Sequence, residues 1–270
     1  MRTTSGVLVG PIILAFAGLL IATGAFSVAM YTRGSKAAHS NETVAARQAF
    51  QQWKSLHNKI YSSPAEEVHR FENFLKAFNR AKARNAAFTS FTSGLNMFSD
   101  LSKQEFKANY LGYKPVANSE KSYDYSLLDA TPSNDKDWRT VNGVVTPVKD
   151  QGQCGSCWAF SATGSLEGVA QISGKQTLSF SEQQLVDCSA KYGNEGCDGG
   201  LMNQAFDYVI ANGIETEAMY PYTARDGKCS SKTGVYKITG YKNVPIKSSQ
   251  ALSSACDIQP VSIAIEADEI

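Results

Sequence analysis

Histidine is scarce in this 270-residue sequence, and its placement excludes more than its number does. The three are His39, His57 and His69, so no imidazole follows residue 69. The six cysteines therefore lack a close Cys or His pair that would complete a tetrahedral zinc set. An excess of one charge is missing too. Lys and Arg number 26 against 25 Asp and Glu, a net charge of +1, which excludes the basic footprint of a polyanion binder. Charge of either sign is absent from Thr3 to Thr32, and Val7 to Tyr31 is mostly apolar. A secretory h-region takes about 7–15 such residues and a membrane span about 20. Ala22-Thr23-Gly24 offers a small-residue cleavage site, so residues 1–33 fit both a cleaved signal peptide and an uncleaved signal anchor. A buried core helix does not fit the extreme amino terminus. Either segment sends the rest of the chain to the secretory lumen, where Asn41-Glu42-Thr43 is a glycosylation sequon.

What is present begins with helical periodicity. Between Ala45 and Tyr61, the spacing of Phe50, Trp53, Leu56 and Ile60 predicts one aromatic-rich helical face. Ser63, Pro64 and Glu66 then make a start signal: a cap, a residue suited to the first helical position, and a capping-box partner. Val68, Phe71, Phe74, Leu75, Phe78 and Ala81 form the apolar stripe of the helix that follows. Ser102 to Glu105 starts a shorter helix through Phe106, and periodicity is lost from 114 to 133, as in an exposed linker.

The stretch from Gln151 to Gly168 organises the remainder. Phe160, Leu166, Val169 and Ile172 recur at helical spacing, so a helix is predicted from about Ser156 to near Gly174. Cys157 then sits at a helix amino end, where unpaired N–H groups and the macrodipole favour a thiolate. Three other readings of Cys154 and Cys157 compete: a structural cysteine in a tight turn, half a metal site, or a redox pair. The metal reading lacks a second pair, and the redox reading lacks a thioredoxin-like βαβ pattern.

Cys154-Gly155-Ser156-Cys157-Trp158 has the form found around the nucleophile of papain and the cathepsins, and the chain resembles the cathepsin L-like branch of that family. Glu66, Arg70, Phe74 and Asn85 fall on the spacing of the long-helix signature of such propeptides; Ala77 and Ala81 depart from it. Gly94-Leu95-Asn96-Met97-Phe98-Ser99-Asp100 matches the second propeptide signature. The resemblance implies an α+β, two-lobe papain-like peptidase, helical lobe present and β-barrel lobe mostly missing, behind a helical inhibitory prodomain. The implied organisation is a prodomain over 38–115, an activation linker over 116–130 and a truncated peptidase domain over 131–270, the mature chain starting near Ala130 or Thr131.

The resemblance also assigns roles. Cys157 is the nucleophile, and Gln151, six residues earlier, is the oxyanion donor. Gly199 and Gly200 bind substrate backbone as a short antiparallel strand, with Trp158 beside them. Leu201 and Met202 line the pocket for the second residue before the cut, and Ala264 is its floor; such a pocket favours bulky apolar side chains. On pattern alone Leu201, Ala205, Phe206 and Val209 are the core of a helix ending at Gly213. The implied disulfides are Cys154–Cys197 and Cys188–Cys229. Cys157 stays free, and Cys256 is left as a small buried hydrophobe. No metal or organic cofactor is implied. The implied partners are protein or peptide substrates and the chain's own prodomain, with no nucleic acid, and membrane contact only through an uncleaved 7–31. The implied location is lysosomal, vacuolar or extracellular.

Pro260 to Ile265 reads as a strand. The family's His and Asn stand about 130–150 residues after the Cys, beyond Ile270. The expectation is a cysteine endopeptidase zymogen given as a partial sequence, with residues 1–270 inactive. A non-catalytic remnant acting as a propeptide-like inhibitor, or a lumenal protein of chaperone-like or structural role, is the alternative.

Overall fold

The computed structural model describes residues 43–113, 136–174 and 178–265. The signal or anchor of 1–33, the Asn41 sequon, the linker of 116–130 and the expected mature start lie outside them. Among the described residues, no helix is long and apolar enough to cross a membrane. Two compact units divide between Ser102 and Lys103, so the last helix of the expected prodomain goes with the unit that carries Cys157.

The first unit is built on two helices, α1 over 43–56 and α2 over Pro64–Ala87. Phe50 lies between Phe71 and Phe74, with ring centroids 5.4 and 5.1 Å away, and Ala46 and Trp53 complete the core. Burying each such aromatic contributes roughly 1.5–3 kcal/mol. The expected stripes need two corrections. Leu56 and Ile60 are 75% and 93% exposed, because α1 ends at 56 and Asn58 turns left-handed (φ 50°) before Ile60. Val68 is 58% exposed, because the seam centres on Phe71 and Phe74, one turn later.

At the start of α2, the Ser63 hydroxyl accepts from Glu66 N–H at 3.2 Å, with Pro64 in the first turn. The Glu66 carboxylate accepts from the N–H and hydroxyl of Ser62 instead of from Ser63, so the reciprocal bond moves back by one residue. Asn85 clasps Ser93 through both its amide and its carbonyl oxygen, at 2.8 and 2.6 Å. Asp100 is buried with the Lys59 ammonium at 3.2 Å and the Tyr61 hydroxyl at 3.0 Å. Burial, then the Asp100 charge and its hydrogen bond, push the Tyr61 phenol up, so it stays a donor. Asn73 is buried with its amide on the Asp100 carbonyl at 3.3 Å.

The second unit contains α3 (Lys103–Tyr110), α4 (Cys157–Ile172), α5 (Glu182–Cys188), α6 (Met202–Asn212) and α7 (Ser249–Ile258). Its core is α4, packed against α5 and α6. Trp158, Ala159, Ala162, Leu166 and Ala170 meet Leu185, Val186, Ala205 and Val209 there. Small residues along α4 let its neighbours approach closely. α6 ends at Gly213 (φ 78°), as its pattern predicts. α7 was not legible in the reading above, although Ser248 caps it by accepting from Ala251 N–H at 3.1 Å.

Among the described residues, β structure is limited to isolated bridges: Tyr113 with Gly200, Phe180 with Thr216 and Ile214 with Tyr236. The predicted strand at Pro260 to Ile265 forms no ladder. The N–H and carbonyl of Ile263 both go to the Ser161 hydroxyl, at 3.2 and 2.9 Å, which ties the segment to α4 and not to a neighbouring strand. The helix-rich unit is the helical lobe expected from the sequence.

Candidate active site

The site is assembled on the loop before α4. Cys154 is bridged to Cys197, and Gly155 N–H donates to the Cys197 carbonyl at 2.9 Å. Cys188 is bridged to Cys229, closing the end of α5 onto the loop at 220–230. Each bridge spans a separation of 43 or 41 residues, and crosslinks of that kind typically add about 2–4 kcal/mol. Cys157 is free, half-buried and the first residue of α4. Ser156 precedes it without a side-chain cap; its hydroxyl goes instead to the Tyr222 hydroxyl at 2.6 Å. The first-turn N–H groups are thus left without a side-chain cap, and the positive helix end faces the thiol.

Gln151 donates from its carboxamide to the carbonyls of Tyr110 and Cys154, each at 2.9 Å. Gly200 N–H donates to the Gly112 carbonyl at 2.8 Å, and Tyr113 bridges Gly200 in the parallel sense. The chain after α3 therefore runs along the Gly200 wall and under the Gln151 amide. Its closeness is steric as well as polar. A Cβ at position 112 would overlap the Gly155 carbonyl oxygen and stand 2.9 Å from Gly155 Cα. A Cβ at Gly200 would overlap the Asn194 carboxamide and meet the Trp158 indole at 2.9 Å. Gly199 (φ 124°) turns the chain into this wall.

The remaining expected site residues are placed as follows. Trp158 is 1% exposed, a core side chain whose indole N–H donates to the Gly196 carbonyl at 3.2 Å, so it supports the glycine wall from below. Leu201 caps α6, its N–H donating to the Asn194 side-chain oxygen Oδ1 at 2.8 Å. Met202 is partly buried against the core. Ala264 is exposed, one residue past the Ile263 clasp. Cys256 is half-buried rather than buried, because α7 packs through Ala251 and Ala255; its carbonyl accepts the Trp138 indole N–H at 2.6 Å. His57 lies against Trp53 at 5.3 Å and His69 within 3.4 Å of Asn73, both in the first unit. No cluster among the described residues could hold a metal ion.

Beneath α4 lies a group that sequence reasoning missed. The Lys149 ammonium is 2.6 Å from both Glu167 and Glu182, which are 1% exposed. Thr146 and Thr163 donate to these carboxylates, each at 2.6 Å. Burial pushes Lys149 down, but the two carboxylates outweigh it and its pKa is raised. Burial also raises Glu182, since one ammonium is shared between two carboxylates. Gln184 satisfies Glu215 N–H, the Tyr208 hydroxyl and the Ser231 hydroxyl from the first turn of α5. Ser181 caps α5, its hydroxyl accepting from Gln184 N–H at 2.9 Å.

Comparison with known proteins follows the same division. Residues 132–270 match the papain family cysteine protease model, and residues 50–106 match the cathepsin propeptide inhibitor domain. Cysteine proteinase 4 of Dictyostelium discoideum is 44% identical over 229 residues, covering 82% of this chain and 51% of that protein. Digestive cysteine proteinase 2 of Homarus americanus is 43% identical over 234 residues, covering 83% and 72%. Digestive procathepsin L 3 of Tenebrio molitor larval midgut superposes with a TM-score of 0.64 at 37% identity, covering 78% of this chain and 69% of that one. The first curated relatives are longer: the chain spans 51% of one and 66% of the next.

Proposed function

The chain belongs to the papain family of cysteine proteases, with a cathepsin-type propeptide inhibitor domain ahead of the peptidase region, and from that premise we propose that it is the latent form of a cathepsin L-like cysteine endopeptidase. The observation that carries the proposal is the backbone of Gly112 bonded to Gly200 beside the loop of Gln151 and Cys157. A substrate strand would take the same wall in the antiparallel sense; the chain after α3 takes it in parallel, so it occupies the cleft reversed and is not presented for cleavage.

In the reaction, the Cys157 thiolate attacks a peptide carbonyl carbon. The Gln151 carboxamide and the Cys157 N–H receive the oxyanion, each such donor being worth about 3–4 kcal/mol. The leaving amine departs with a proton from an imidazole, and water hydrolyses the thioester. Among the described residues, His57 and His69 both lie in the first unit and not in the unit of Cys157. The expected behaviour of residues 1–270 tested by themselves is alkylation at Cys157 by a thiol reagent without peptide turnover. Leu201, Met202 and Ala264 are the proposed lining of the pocket that selects a bulky apolar residue second before the cut. The proposed route is secretory, to a lysosome, vacuole or the outside.

The match of residues 50–106 to the cathepsin propeptide inhibitor domain supports one second reading, a propeptide-like inhibitor of other papain-like peptidases. Reading the transcript past codon 270 separates the two: a downstream histidine and asparagine support the peptidase, and an immediate stop supports the inhibitor.

A further inference from the structure

The proposed oxyanion donor and nucleophile stand at the two ends of a short loop, Gln151 to Cys157, rich in glycine and with few hydrogen bonds of its own. One side chain from far along the sequence spans that loop. The Tyr222 hydroxyl donates to the backbone carbonyl of Gln151 at 2.7 Å and lies 2.6 Å from the hydroxyl of Ser156, the residue before Cys157. A phenol has one proton. With that proton on Gln151, the Ser156 hydroxyl donates to the phenol oxygen, and its alternative acceptor, the Cys154 carbonyl, is 3.5 Å away. Ser156 is fully buried, so its hydroxyl needs this acceptor.

Tyr222 is itself held fast. Its ring meets Phe160, in the first turn of α4, edge-on at 4.9 Å and 82°. Its N–H donates to the Glu217 carboxylate at 2.7 Å. Resting on the reading of Cys157 and Gln151 as a peptidase site, we propose that Tyr222 is a positioning residue: its hydroxyl sets where Gln151 stands relative to the helix start that carries Cys157. The amide so aimed serves the Tyr110 carbonyl in the closed chain and the substrate oxygen during the reaction. Burial pushes the Tyr222 phenol up, so the donor keeps its proton across the working range of pH.

The test uses the 270-residue chain and reads the aim of Gln151 through the seal it makes. Alkylation of Cys157 by iodoacetamide is followed by peptide mass spectrometry, with Cys256 on α7 as internal reference and thermal unfolding measured in parallel. Tyr222→Phe keeps the ring and should speed Cys157 alkylation about three- to tenfold, the worth of roughly one net hydrogen bond. Cys256 alkylation should hold; the unfolding midpoint should fall modestly, because the buried Ser156 hydroxyl loses its acceptor, and adding Ser156→Ala should restore part of that fall. Gln151→Ala should speed Cys157 at least as much, and the double variant no further, because Tyr222 acts through Gln151. If Tyr222→Phe does not fold, Ser156→Ala removes the other half of the link and is read in the same cycle. An unchanged Cys157 rate, a multiplicative double variant, or Cys256 alkylation sped up in parallel overturns the positioning role alone. Cys157 alkylated in the unsubstituted chain as fast as in the denatured chain overturns the latent-peptidase reading, and this inference with it.

Discussion

Replacing Gly112 with valine should unseat the segment that covers the cleft. A Cβ at position 112 would stand 2.5 Å from the Gly155 carbonyl carbon and 2.9 Å from Gly155 Cα, both backbone atoms of a loop fixed by the Cys154–Cys197 bridge. Gly155 has little room to yield, since its own N–H is bonded to Cys197. The crossing segment must lift, and it then gives up the Gly200–Gly112 bond at 2.8 Å and the Gln151–Tyr110 bond at 2.9 Å. Two net hydrogen bonds are worth about 1–3 kcal/mol, which is roughly 5- to 150-fold in the open population. Site-resolved alkylation of Cys157 reads that population directly. Gly240→Ala, at a position with open space around it, is the control and should change nothing. A Gly112→Val chain that protects Cys157 as well as the unsubstituted one would refute the steric argument and the crossing it rests on.

Acid should open the first unit before the second. Glu66 is held below the usual carboxylate range by two hydrogen bonds from Ser62, and Glu67 by the Lys54 ammonium. The stability these groups lend is complete above an unfolded glutamate's pKa of about 4.3 and is lost as pH falls through their own lower values. Glu182 is raised, so its term favours the folded state in acid and is lost as pH rises from about 4.3 through its higher value. Hydrogen exchange, corrected for intrinsic rate, should lose protection over 43–87 before 157–212; the reverse order would contradict this. Lys149→Met should lower stability by about 3–5 kcal/mol near neutral pH, because two buried carboxylates lose their shared cation. Denaturant unfolding checks it, and a loss under about 1 kcal/mol would refute the shared-cation account.

Several helices were legible because their signals are local. Periodicity and caps placed α2, α4 and α6 closely, and the pentapeptide at Cys154 to Trp158 marked the candidate site. The failures involve distance. Val68 and Leu56 sit on plausible stripes, but which stripe is buried depends on where Phe50 meets the facing helix. Pro260 to Ile265 has strand composition, but a strand needs a ladder partner, and its polar groups found Ser161 instead. Glu167 and Glu182 carry no local sign of burial, since the cation between them, Lys149, lies 18 and 33 residues away. Tyr222 carries no local sign of its task, since its partners lie 71 and 66 residues away.

The central claim is that Cys157 is the nucleophile of a peptidase held closed by its own preceding segment. Its most direct test is cleavage of a Phe-Arg fluorogenic peptide by the product of the whole reading frame, before and after acid treatment, with and without Cys157→Ser. The account predicts little turnover before acid, clear turnover after it, and none at either stage in the Cys157→Ser protein. Turnover that survives Cys157→Ser would contradict it, as would Cys157-dependent turnover by residues 1–270 alone.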